Sequence, residues 1–409
     1  MSELNEIQQH IADTLDGMMV VDAGPGTGKT HTIVARYMNI LTKRNVSPSD
    51  IMLLTFTNNA AAEMDERIRN KMVEKGMERD SKLVRTMTFD AFCLSIVLDS
   101  PDMIGEFFRF DESLTRSAVL SQNGAMNRNY FIRFMDGFLL RKGSDYGDYA
   151  VIASERPLTV MKLIQNLMSK GLIPLRKGWF GNDWKRMLEG DCEAILAQLK
   201  ERNIPRSRGA SLNASRLNDI KTDQYQFPEP DLDGSFPDEV LQEAASPDRQ
   251  GLFDFIHDVY YEYIRTSIRD NRLTFGLNAM LAFVVLYSKP SVRERNSFRY
   301  VMIDEFQDTN ANQMMIAMMI LKEPNLAVLG DWKQGIYGFR HVSIENITEF
   351  ERKLVEYRRF LNDDIKRIGY SIPEVDTPRL NINYRSSHRI IDTAFRAMCL
   401  KGSDKDDPG

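Results

Sequence analysis

A short stretch near the N-terminus, residues 18–30 (MMVVDAGPGTGKT), constrains the fold more than any other part of the sequence. Its first residues are apolar and favour a β-strand, and the small residues that follow lead into a segment with helical periodicity. Glycines let successive backbone N–H groups converge on a phosphate, and the helix N-terminus adds partial positive charge. The pattern therefore predicts a phosphate-binding loop between a strand and a helix. The alternative is a glycine-rich turn that only connects the two elements.

Individual residues of this loop have distinct expected roles. Lys29 supplies a mobile ammonium group for β and γ phosphates, and the Thr30 hydroxyl is a ligand for Mg²⁺. The usual pattern has a glycine five residues before Gly28, where this chain has Ala23. The backbone expected to surround the phosphates comprises Ala23, Gly24, Pro25, Gly26, Thr27 and Gly28. We therefore expect a nucleotide with β and γ phosphates at this loop, together with Mg²⁺.

The composition bounds the class of protein. Hydrophobic residues make up 43% and charged residues 27% of the 409 residues, as in a globular protein of two or three domains. No apolar run is long enough for a membrane span, and no secretion signal is visible. Three widely spaced cysteines argue against disulfides and zinc and favour a reducing, cytoplasmic location. The net charge of −5 counts against a general nucleic-acid coat, whereas the basic stretch 170–221 is either a solvated face or a nucleic-acid contact.

Apolar runs and helical segments alternate towards both ends of the chain. Runs of β type occur at residues 18–21, 51–56, 84–89, 298–304 and 326–330. The connections between them are long enough for helical crossovers, so the sequence predicts an α/β fold with a parallel sheet covered on both faces. Between the third and fourth runs the periodicity is helical, which indicates a large inserted, mainly helical domain.

Asp304 and Glu305 lie at the end of the fourth apolar run. The carboxyl end of a parallel strand is where such sheets bind ligands, so both carboxylates are expected near the phosphate-binding loop. Asp304 can hold Mg²⁺, and Glu305 can accept a proton from an attacking water. Without the loop, the same pair would indicate no more than a solvated strand end.

Two later stretches combine aromatic and cationic side chains. In residues 330–340 (GDWKQGIYGFR), Gln334 can reach a γ phosphate, and the groups suited to stacking on bases or binding backbone phosphates are Tyr337, Phe339 and Arg340. In residues 383–390 (NYRSSHRI), Tyr384 can stack on adenine and Arg385 can stabilise charge on the γ phosphate. Considered alone, Tyr337 is equally suited to packing under a loop, and the second stretch to starting a surface helix.

In order and together, these motifs resemble those of the UvrD/Rep branch of superfamily 1 DNA helicases. The matching segments are LNEIQ, AGPGTGKT, LLTFTNNAAAEMDERI, TMTFDAFC, IDEFQDTN, GDWKQGIYGFR and NYRS. The resemblance implies that Ala23 is a family feature, that Gln8 reads the adenine edge, and that His31 stands where relatives place an arginine beside the base. It also implies a track for single-stranded DNA that includes Thr55, Phe56, Thr57, Asn58, Thr88 and Phe89.

The same resemblance implies an ATP-dependent DNA helicase or translocase with ATP and Mg²⁺ bound between two RecA-like domains. Single-stranded or partly duplex DNA would be its partner, and no membrane is involved. Residues 1–95 and 271–372 would form the first RecA-like domain, residues 96–270 the inserted helical domain, and residues 373–409 the beginning of the second. The implied catalytic residues are Lys29, Glu305, Gln334 and Arg385.

The fifth and sixth motifs of these helicases have no counterpart after NYRS in this sequence. We therefore expect a fragment without the C-terminal domain that binds nucleotide weakly, hydrolyses ATP slowly or not at all, and does not unwind duplex DNA. Two alternatives stay open. One is a nucleotide-switched DNA-binding protein without motor activity, and the other is the N-terminal part of a RecB-like helicase-nuclease subunit.

Overall fold

The computed structural model describes residues 4–193 except 116, 122 and 182–184, residues 249–331, and residues 349–393 except 388 and 392. Four residues of the predicted site lie outside these ranges, namely Gln334, Tyr337, Phe339 and Arg340. The chain divides into two compact units. Unit 1 comprises Met1–Met103 and Asn278–Gly409, and unit 2 comprises Ile104–Leu277.

The described residues form the following helices and strands. The helices are α1 (Glu6–Asp13), α2 (Lys29–Arg44), α3 (Asn58–Glu74), α4 (Glu78–Ser81), α5 (Phe89–Asp99), α6 (Asp102–Phe108), α7 (Gly124–Lys142), α8 (Asp148–Glu155), α9 (Pro157–Ser169), α10 (Gln250–Arg269), α11 (Phe275–Ser288), α12 (Pro290–Arg295), α13 (Ala311–Met319) and α14 (Phe350–Leu361). Residues 185–193 are helical as well, and 3-10 helices occur at Pro48–Asp50, Gly143–Asp145 and Phe306–Asp308. The strands are β1 (Met18–Ala23), β2 (Ile51–Thr55), β3 (Arg85–Thr88), β4 (Val119–Leu120), β5 (Ile173–Pro174), β6 (Trp179–Phe180), β7 (Arg272–Leu273), β8 (Tyr300–Ile303), β9 (Leu326–Gly330), β10 (Val375–Asp376) and β11 (Arg379–Leu380).

Unit 1 contains a seven-stranded parallel sheet. Its order is β10, β1, β9, β8, β2, β3, and β11 also pairs with β1. Strands β2, β8 and β9 are buried at every residue, and β1 at all but one. Because successive side chains point to opposite faces, this burial means that both faces are covered, which explains why the sequence shows apolar runs without polar alternation. The predicted α/β class with a parallel sheet is confirmed.

The register of the sheet collects the predicted site residues at one edge. Strands β1, β9, β8, β2 and β3 run in the same direction, and their carboxyl ends lie side by side. The segments that follow these strand ends begin at Gly24, Asp331, Asp304, Phe56 and Phe89. Ligands of open parallel sheets bind at this edge, so the register alone juxtaposes the loop with the carboxylates.

Residues 375–380 lie in the segment that is predicted to begin a second domain. Val375 lies beside Met18, and Arg379 lies beside Asp22, so both short strands extend the sheet along β1. With β9 on one side of β1, backbone groups on its other side need hydrogen-bond partners, which β10 and β11 provide. The domain boundaries given by the sequence stay predictions.

Helix α1 is anchored to α2 by a buried arginine. The Arg36 guanidinium donates to the carbonyl oxygens of Ile11 (2.8 Å) and Leu15 (3.0 Å) and also to that of Thr14. Burial lowers the pKa of Arg36 to about 10. The hydrogen bonds satisfy carbonyl groups at the end of α1 that have no partner within the helix. This contact matters because α1 carries Gln8.

Unit 2 is mainly helical and contains two small sheets, parallel β4–β7 and antiparallel β5–β6. Its core is rich in aromatic side chains, including Phe131, Phe134, Phe138, Phe255 and Tyr263. No helix of the described residues is long and apolar enough to cross a membrane.

His257 on α10 ties this helix to the β5–β6 hairpin. Its Nε2 lies 2.9 Å from the Leu175 carbonyl and 3.0 Å from the Gly178 carbonyl, and its Nδ1 lies 3.0 Å from Asp258. Burial by itself would lower the pKa of His257, but the hydrogen bonds to Asp258 and to the two carbonyl groups outweigh it. The pKa is therefore raised, and the imidazolium form has an acceptor for each N–H group.

Candidate functional site

Strand β1 leads directly into the predicted phosphate-binding loop, and α2 begins at Lys29. Gly26 and Gly28 have φ angles of +74° and +81°, a region that residues with a Cβ rarely adopt. Ala23 is the last residue of β1 and is fully buried, so its methyl group lies in the core. It has no positive φ, which explains why alanine can occupy the position of the expected glycine.

Three successive carbonyl oxygens of the loop accept hydrogen bonds from distant parts of unit 1. The bonds are Asn383 Nδ2 to Pro25 O (2.7 Å), Tyr384 N to Gly26 O (2.8 Å) and Gln8 Nε2 to Thr27 O (3.0 Å). In a trans peptide the C=O and N–H groups point in opposite directions. The N–H groups of these peptide units therefore face away from the bonded side, as a bound phosphate requires.

Lys29, Glu305 and Gln307 meet at the carboxyl edge of the sheet. Lys29 Nζ lies 3.1 Å from Glu305 Oε2, and Gln307 Nε2 donates to the same oxygen at 2.8 Å. Gln307 Oε1 accepts from the backbone N–H of Asp331 at 3.0 Å. A Cβ at Gly330 would lie 2.6 Å from Gln307 Oε1, so the close approach depends on glycine. Gln307 thereby joins the ends of β8 and β9 and orients Glu305 from one side.

The Glu305 backbone is in the left-handed region, with φ +51° and ψ +45°. For a residue with a Cβ, this conformation costs roughly 1 to 2 kcal/mol. The surrounding contacts therefore hold Glu305 in a conformation that the isolated chain would avoid. Such strain is typical of residues whose orientation matters for function.

Asp304 combines burial with an incomplete set of partners. Its backbone N–H donates to Leu54 O at 2.9 Å, but its side-chain Oδ1 is buried without a hydrogen-bond partner among the described residues. Burial, then the nearby charge of Glu305, raise the pKa of Asp304 to about 6, against the opposing effect of Lys29. A buried carboxylate oxygen of this kind fits a divalent cation.

The magnesium ligands predicted from the sequence are Asp304 and Thr30. Asp304 offers a carboxylate oxygen, and Thr30, half-buried in the first turn of α2, offers a hydroxyl oxygen. Within the described ranges, no group of three or more His, Cys, Asp or Glu side chains could hold a metal ion. Mg²⁺ typically takes one or two protein ligands together with substrate phosphates, so the present donors suit it.

The three residues predicted to surround the base differ in their burial and in their hydrogen bonds. Gln8 is buried, and its Oε1 accepts from the Asn5 N–H at 3.0 Å while its Nε2 is bonded to the loop. Reading adenine would require Gln8 to exchange one of these bonds. Tyr384 is 59% exposed, and its hydroxyl accepts from Asn5 Nδ2 at 2.8 Å. Burial, followed by the positive charge of Arg67, lowers the pKa of His31, so its ring is neutral near pH 7.

The predicted DNA residues divide into exposed and buried sets. Thr57 and Asn58 are exposed at the start of α3, and the Thr57 hydroxyl caps this helix by accepting from Ala60 N–H. Phe89 is fully buried and stacks on Phe56 at 6.3 Å between ring centroids. In this structure the Phe89 ring lies in the core, and the expectation that it contacts DNA stays a prediction. Thr55 and Thr88 are also buried, and the Thr88 hydroxyl caps α5.

Sequence reasoning missed two asparagines that touch the site. Asn5 forms a capping box with Gln8 at the start of α1, and its Asn-x-x-Gln spacing is a signal that could have revealed it. Asn383 offers no comparable local signal, because its partner Pro25 is far away in the sequence.

The chain is similar in sequence to a family of known proteins. The sequence profile described as the UvrD/REP helicase N-terminal domain matches residues 4–355. The ATP-dependent DNA helicase PcrA of Staphylococcus aureus strain Mu50 is 26% identical over 397 residues, which cover 96% of this chain and 40% of that protein. The PcrA helicase of Bacillus subtilis strain 168 is 25% identical over 398 residues, which cover 96% of this chain and 39% of that protein.

The chain thus spans about two fifths of the length of the curated relatives that it matches. The family profile extends across both parts of the parallel sheet and includes Lys29, Asp304 and Glu305. The chain therefore belongs to the UvrD/REP helicase family.

Proposed function

We propose that this chain is the ATP-binding part of a UvrD-type motor, in which hydrolysis of ATP drives movement along single-stranded DNA. The observation that carries the proposal is the meeting of Lys29, Glu305 and Gln307 at 2.8 to 3.1 Å, next to the buried Asp304. This arrangement joins a phosphate-binding cation, a candidate base and a candidate metal ligand at the edge where parallel sheets bind ligands.

In the proposed mechanism, the loop N–H groups and Lys29 bind the β and γ phosphates of ATP. Thr30 and Asp304 would hold Mg²⁺, which neutralises negative charge on those phosphates when it is bound. Arg385 follows Asn383 and Tyr384, which are bonded to the loop, and we assign to its guanidinium the role of stabilising charge on the γ phosphate. The chain thereby binds the phosphates from several sides and reduces the charge repulsion that opposes attack on the γ phosphorus.

Glu305 has the role of general base in this proposal. In the present structure its carboxylate pairs with Lys29, and an incoming phosphate would compete for that ammonium group. Once Lys29 binds phosphate, Glu305 stays oriented by Gln307 and can accept a proton from the attacking water. The water oxygen then bonds to the γ phosphorus as the bond to the bridging oxygen breaks.

The proposed DNA contact lies at the same edge of the sheet. Helices α3 and α5 follow the neighbouring strands β2 and β3, and both begin with a threonine cap. Helix N-termini attract phosphate oxygens, and Thr57 and Asn58 expose polar groups there. The relatives are named as DNA helicases, which supports DNA as the partner.

The test compares two lysines on the same helix. Lys29 is the proposed phosphate ligand, whereas Lys43 lies near the other end of α2 and pairs with Asp13 at the surface. Fluorescent ADP with Mg²⁺ should bind the parent and Lys43→Ala alike and should bind Lys29→Ala roughly 100-fold more weakly, since a charged phosphate partner is lost. Addition of single-stranded DNA should accelerate single-turnover ATP hydrolysis by the parent.

Equal affinity of Lys29→Ala and the parent would refute the nucleotide site. Binding that is intact in the parent, with DNA affinity that depends on nucleotide but no detectable hydrolysis, would instead favour the nucleotide-switched DNA-binding protein.

A further inference from the structure

We propose that Asn383 is a positioning residue that orders the phosphate-binding loop before a nucleotide arrives. This inference rests on the proposed function, because it concerns the same loop, and it assigns a role to a residue outside the predicted site. Asn383 does not itself contact the reacting atoms. It acts through Pro25 on one side and through the turn that carries Arg385 on the other.

The Asn383 side chain makes three hydrogen bonds with two separate parts of the chain. Nδ2 donates to Pro25 O at 2.7 Å, and Oδ1 accepts from the backbone N–H groups of Arg385 and Ser386, both at 2.8 Å. The acceptor oxygen shapes the turn that follows, and the donor nitrogen fastens that turn to the loop. One amide group thus couples the segment that carries Arg385 to the backbone that would bind the phosphates.

The turn is packed tightly against the loop at Gly26. An added Cβ at Gly26 would lie 2.7 Å from Arg385 Cβ and 2.9 Å from Asn383 Oδ1. The positive φ of Gly26 already favours glycine, and this contact leaves no room for a side chain. The turn therefore rests directly on the part of the loop whose conformation decides where its N–H groups point.

A second contact comes from the start of α1. Gln8 Nε2 donates to Thr27 O, and Asn5 Nδ2 donates to the Tyr384 hydroxyl. The start of α1 and the turn at Tyr384 are therefore bonded to the loop and also to each other. We call the three bonds to Pro25 O, Gly26 O and Thr27 O the carbonyl clamp. The carbonyl clamp fixes the orientation of each of three consecutive peptide units. It bonds only their carbonyl oxygens, so the N–H groups of the loop stay available to phosphate.

The physical benefit is a smaller entropy cost of binding. A glycine-rich loop samples many conformations when free, and fixing each of its residues in one conformation costs conformational entropy. A loop held by the carbonyl clamp has lost that freedom during folding, so less affinity is lost when phosphate binds. Asn383 is only half-buried and lies outside the main core, so its contribution to global stability is expected to be small.

The first experiment needs no nucleotide. Hydrogen exchange of the Tyr384 amide, which donates to Gly26 O, is measured in the full chain for the parent, Asn383→Asp and Asn383→Ala. Both variants lose the donor to Pro25, but aspartate keeps an acceptor for the N–H groups of Arg385 and Ser386. Asn381→Asp is the matched control, because Asn381 is exposed and the substitution is the same chemical change at a position two residues away.

The expected result is faster exchange of the Tyr384 amide for both Asn383 variants, with the parent and Asn381→Asp alike, because the turn is then held less firmly on the loop. Unchanged exchange at Tyr384 would overturn the inference whatever the nucleotide affinity. Faster exchange throughout unit 1 with a lower melting temperature would also overturn it, since Asn383 would then support the fold in general.

The second experiment measures the affinity for fluorescent ADP with Mg²⁺. Asn383→Asp should weaken binding about five- to tenfold, as expected for the loss of one well-placed hydrogen bond, at an unchanged melting temperature of the free protein. Asn381→Asp should bind like the parent. Faster exchange of the Tyr384 amide with unaltered affinity would overturn the positioning role.

Failure of the proposed function has a different signature. In that case Lys29→Ala would bind nucleotide as the parent does, or the parent would not bind it at all, while the exchange experiment would still report on the carbonyl clamp.

Discussion

Asp304 in unit 1 and His257 in unit 2 are both ionisable groups removed from water, yet their surroundings differ. His257 has an acceptor near each ring nitrogen, and these hydrogen bonds raise its pKa despite burial. Asp304 has a buried Oδ1 without a hydrogen-bond partner in the described part of the chain, and burial raises its pKa to about 6. Hydrogen bonds thus compensate for the burial of the His257 ring in unit 2, whereas the described contacts do not compensate for the burial of the Asp304 carboxylate in unit 1.

This difference distinguishes a polar group with a structural role from a candidate functional group. A buried charge without compensation lowers stability, and such groups occur mainly where a ligand supplies the missing partner. Glu305 beside Asp304 adds a strained backbone to the same edge. By contrast, the contacts of His257 join a helix to a hairpin, which is a role in packing alone.

The largest effect is expected from Glu305→Gln. The amide cannot accept the proton of the attacking water, so single-turnover ATP hydrolysis should fall roughly 100- to 10,000-fold while nucleotide binding changes little. Glu78→Gln on α4 is the control, because Glu78 is exposed and distant in sequence from the site. Hydrolysis within about threefold of the parent would remove Glu305 from the role of base.

The next effect is expected from Asp304→Asn, which should have opposite consequences for stability and binding. Because the pKa of Asp304 is raised from 3.8 to about 6, keeping the carboxylate charged lowers the free energy of unfolding. This loss of stability is complete above about pH 6 and absent below pH 3.8. Denaturant unfolding near pH 8 should therefore show a gain of roughly 2 to 3 kcal/mol, which shrinks as the pH falls towards 4. The effect of Mg²⁺ on nucleotide affinity should be lost.

The control for this prediction is Asp80→Asn, an exposed aspartate on α4. A loss of stability in Asp304→Asn near pH 8 would contradict the comparison with His257, because Asp304 would then have compensating partners.

His257→Gln tests the other half of the comparison. The raised pKa means that the stabilisation by His257 is fully present below pH 6.5 and is lost as the pH rises through the folded pKa. Glutamine keeps a donor for the carbonyls of Leu175 and Gly178 but does not titrate in this range. Melting curves should show that the stability of the parent falls as the pH rises above neutrality and that the variant has a flatter profile. Identical profiles would show that His257 does not titrate as the contacts indicate.

The smallest effect is expected from Asn58→Ala at the start of α3. This exposed amide is a proposed contact to a DNA phosphate, and its loss should weaken binding of a short single-stranded oligonucleotide about two- to fivefold. Fluorescence anisotropy gives the affinity, and Asn70→Ala, at an exposed position of the same helix, should bind like the parent. Equal losses in both variants would point to a general effect on α3.

Much of unit 1 could be predicted from local patterns. The apolar runs gave the five main strands of the sheet to within a few residues, because strands buried on both faces cannot carry alternating polar residues. The loop before Lys29 and the pair Asp304 and Glu305 could be predicted as neighbours, because strand ends of a parallel sheet share one edge.

Other features were not predictable because they depend on contacts between distant residues. The sequence around Phe89 does not reveal that its ring packs on Phe56 in the core. Nor does the sequence of residues 375–380 show that they pair with β1, since a two-residue strand has no periodicity to detect. The Gln8 side chain is likewise hydrogen-bonded at both its Oε1 and its Nε2, and the bond to Thr27 O depends on where α1 lies against the loop.

The sequence by itself determined the strand, turn and helix at residues 18–30, the parallel sheet and the family, because these depend on short-range stereochemistry and on the order of motifs along the chain. The tertiary structure alone decided which polar groups are compensated. Asn383 reaches Pro25, Gln307 orients Glu305, and Oδ1 of Asp304 is buried without a described partner. The physical reason is that a hydrogen bond requires its donor and acceptor atoms to be placed to within a few tenths of an ångström. When the two residues are far apart in the chain, only the packed fold sets their distance with that precision.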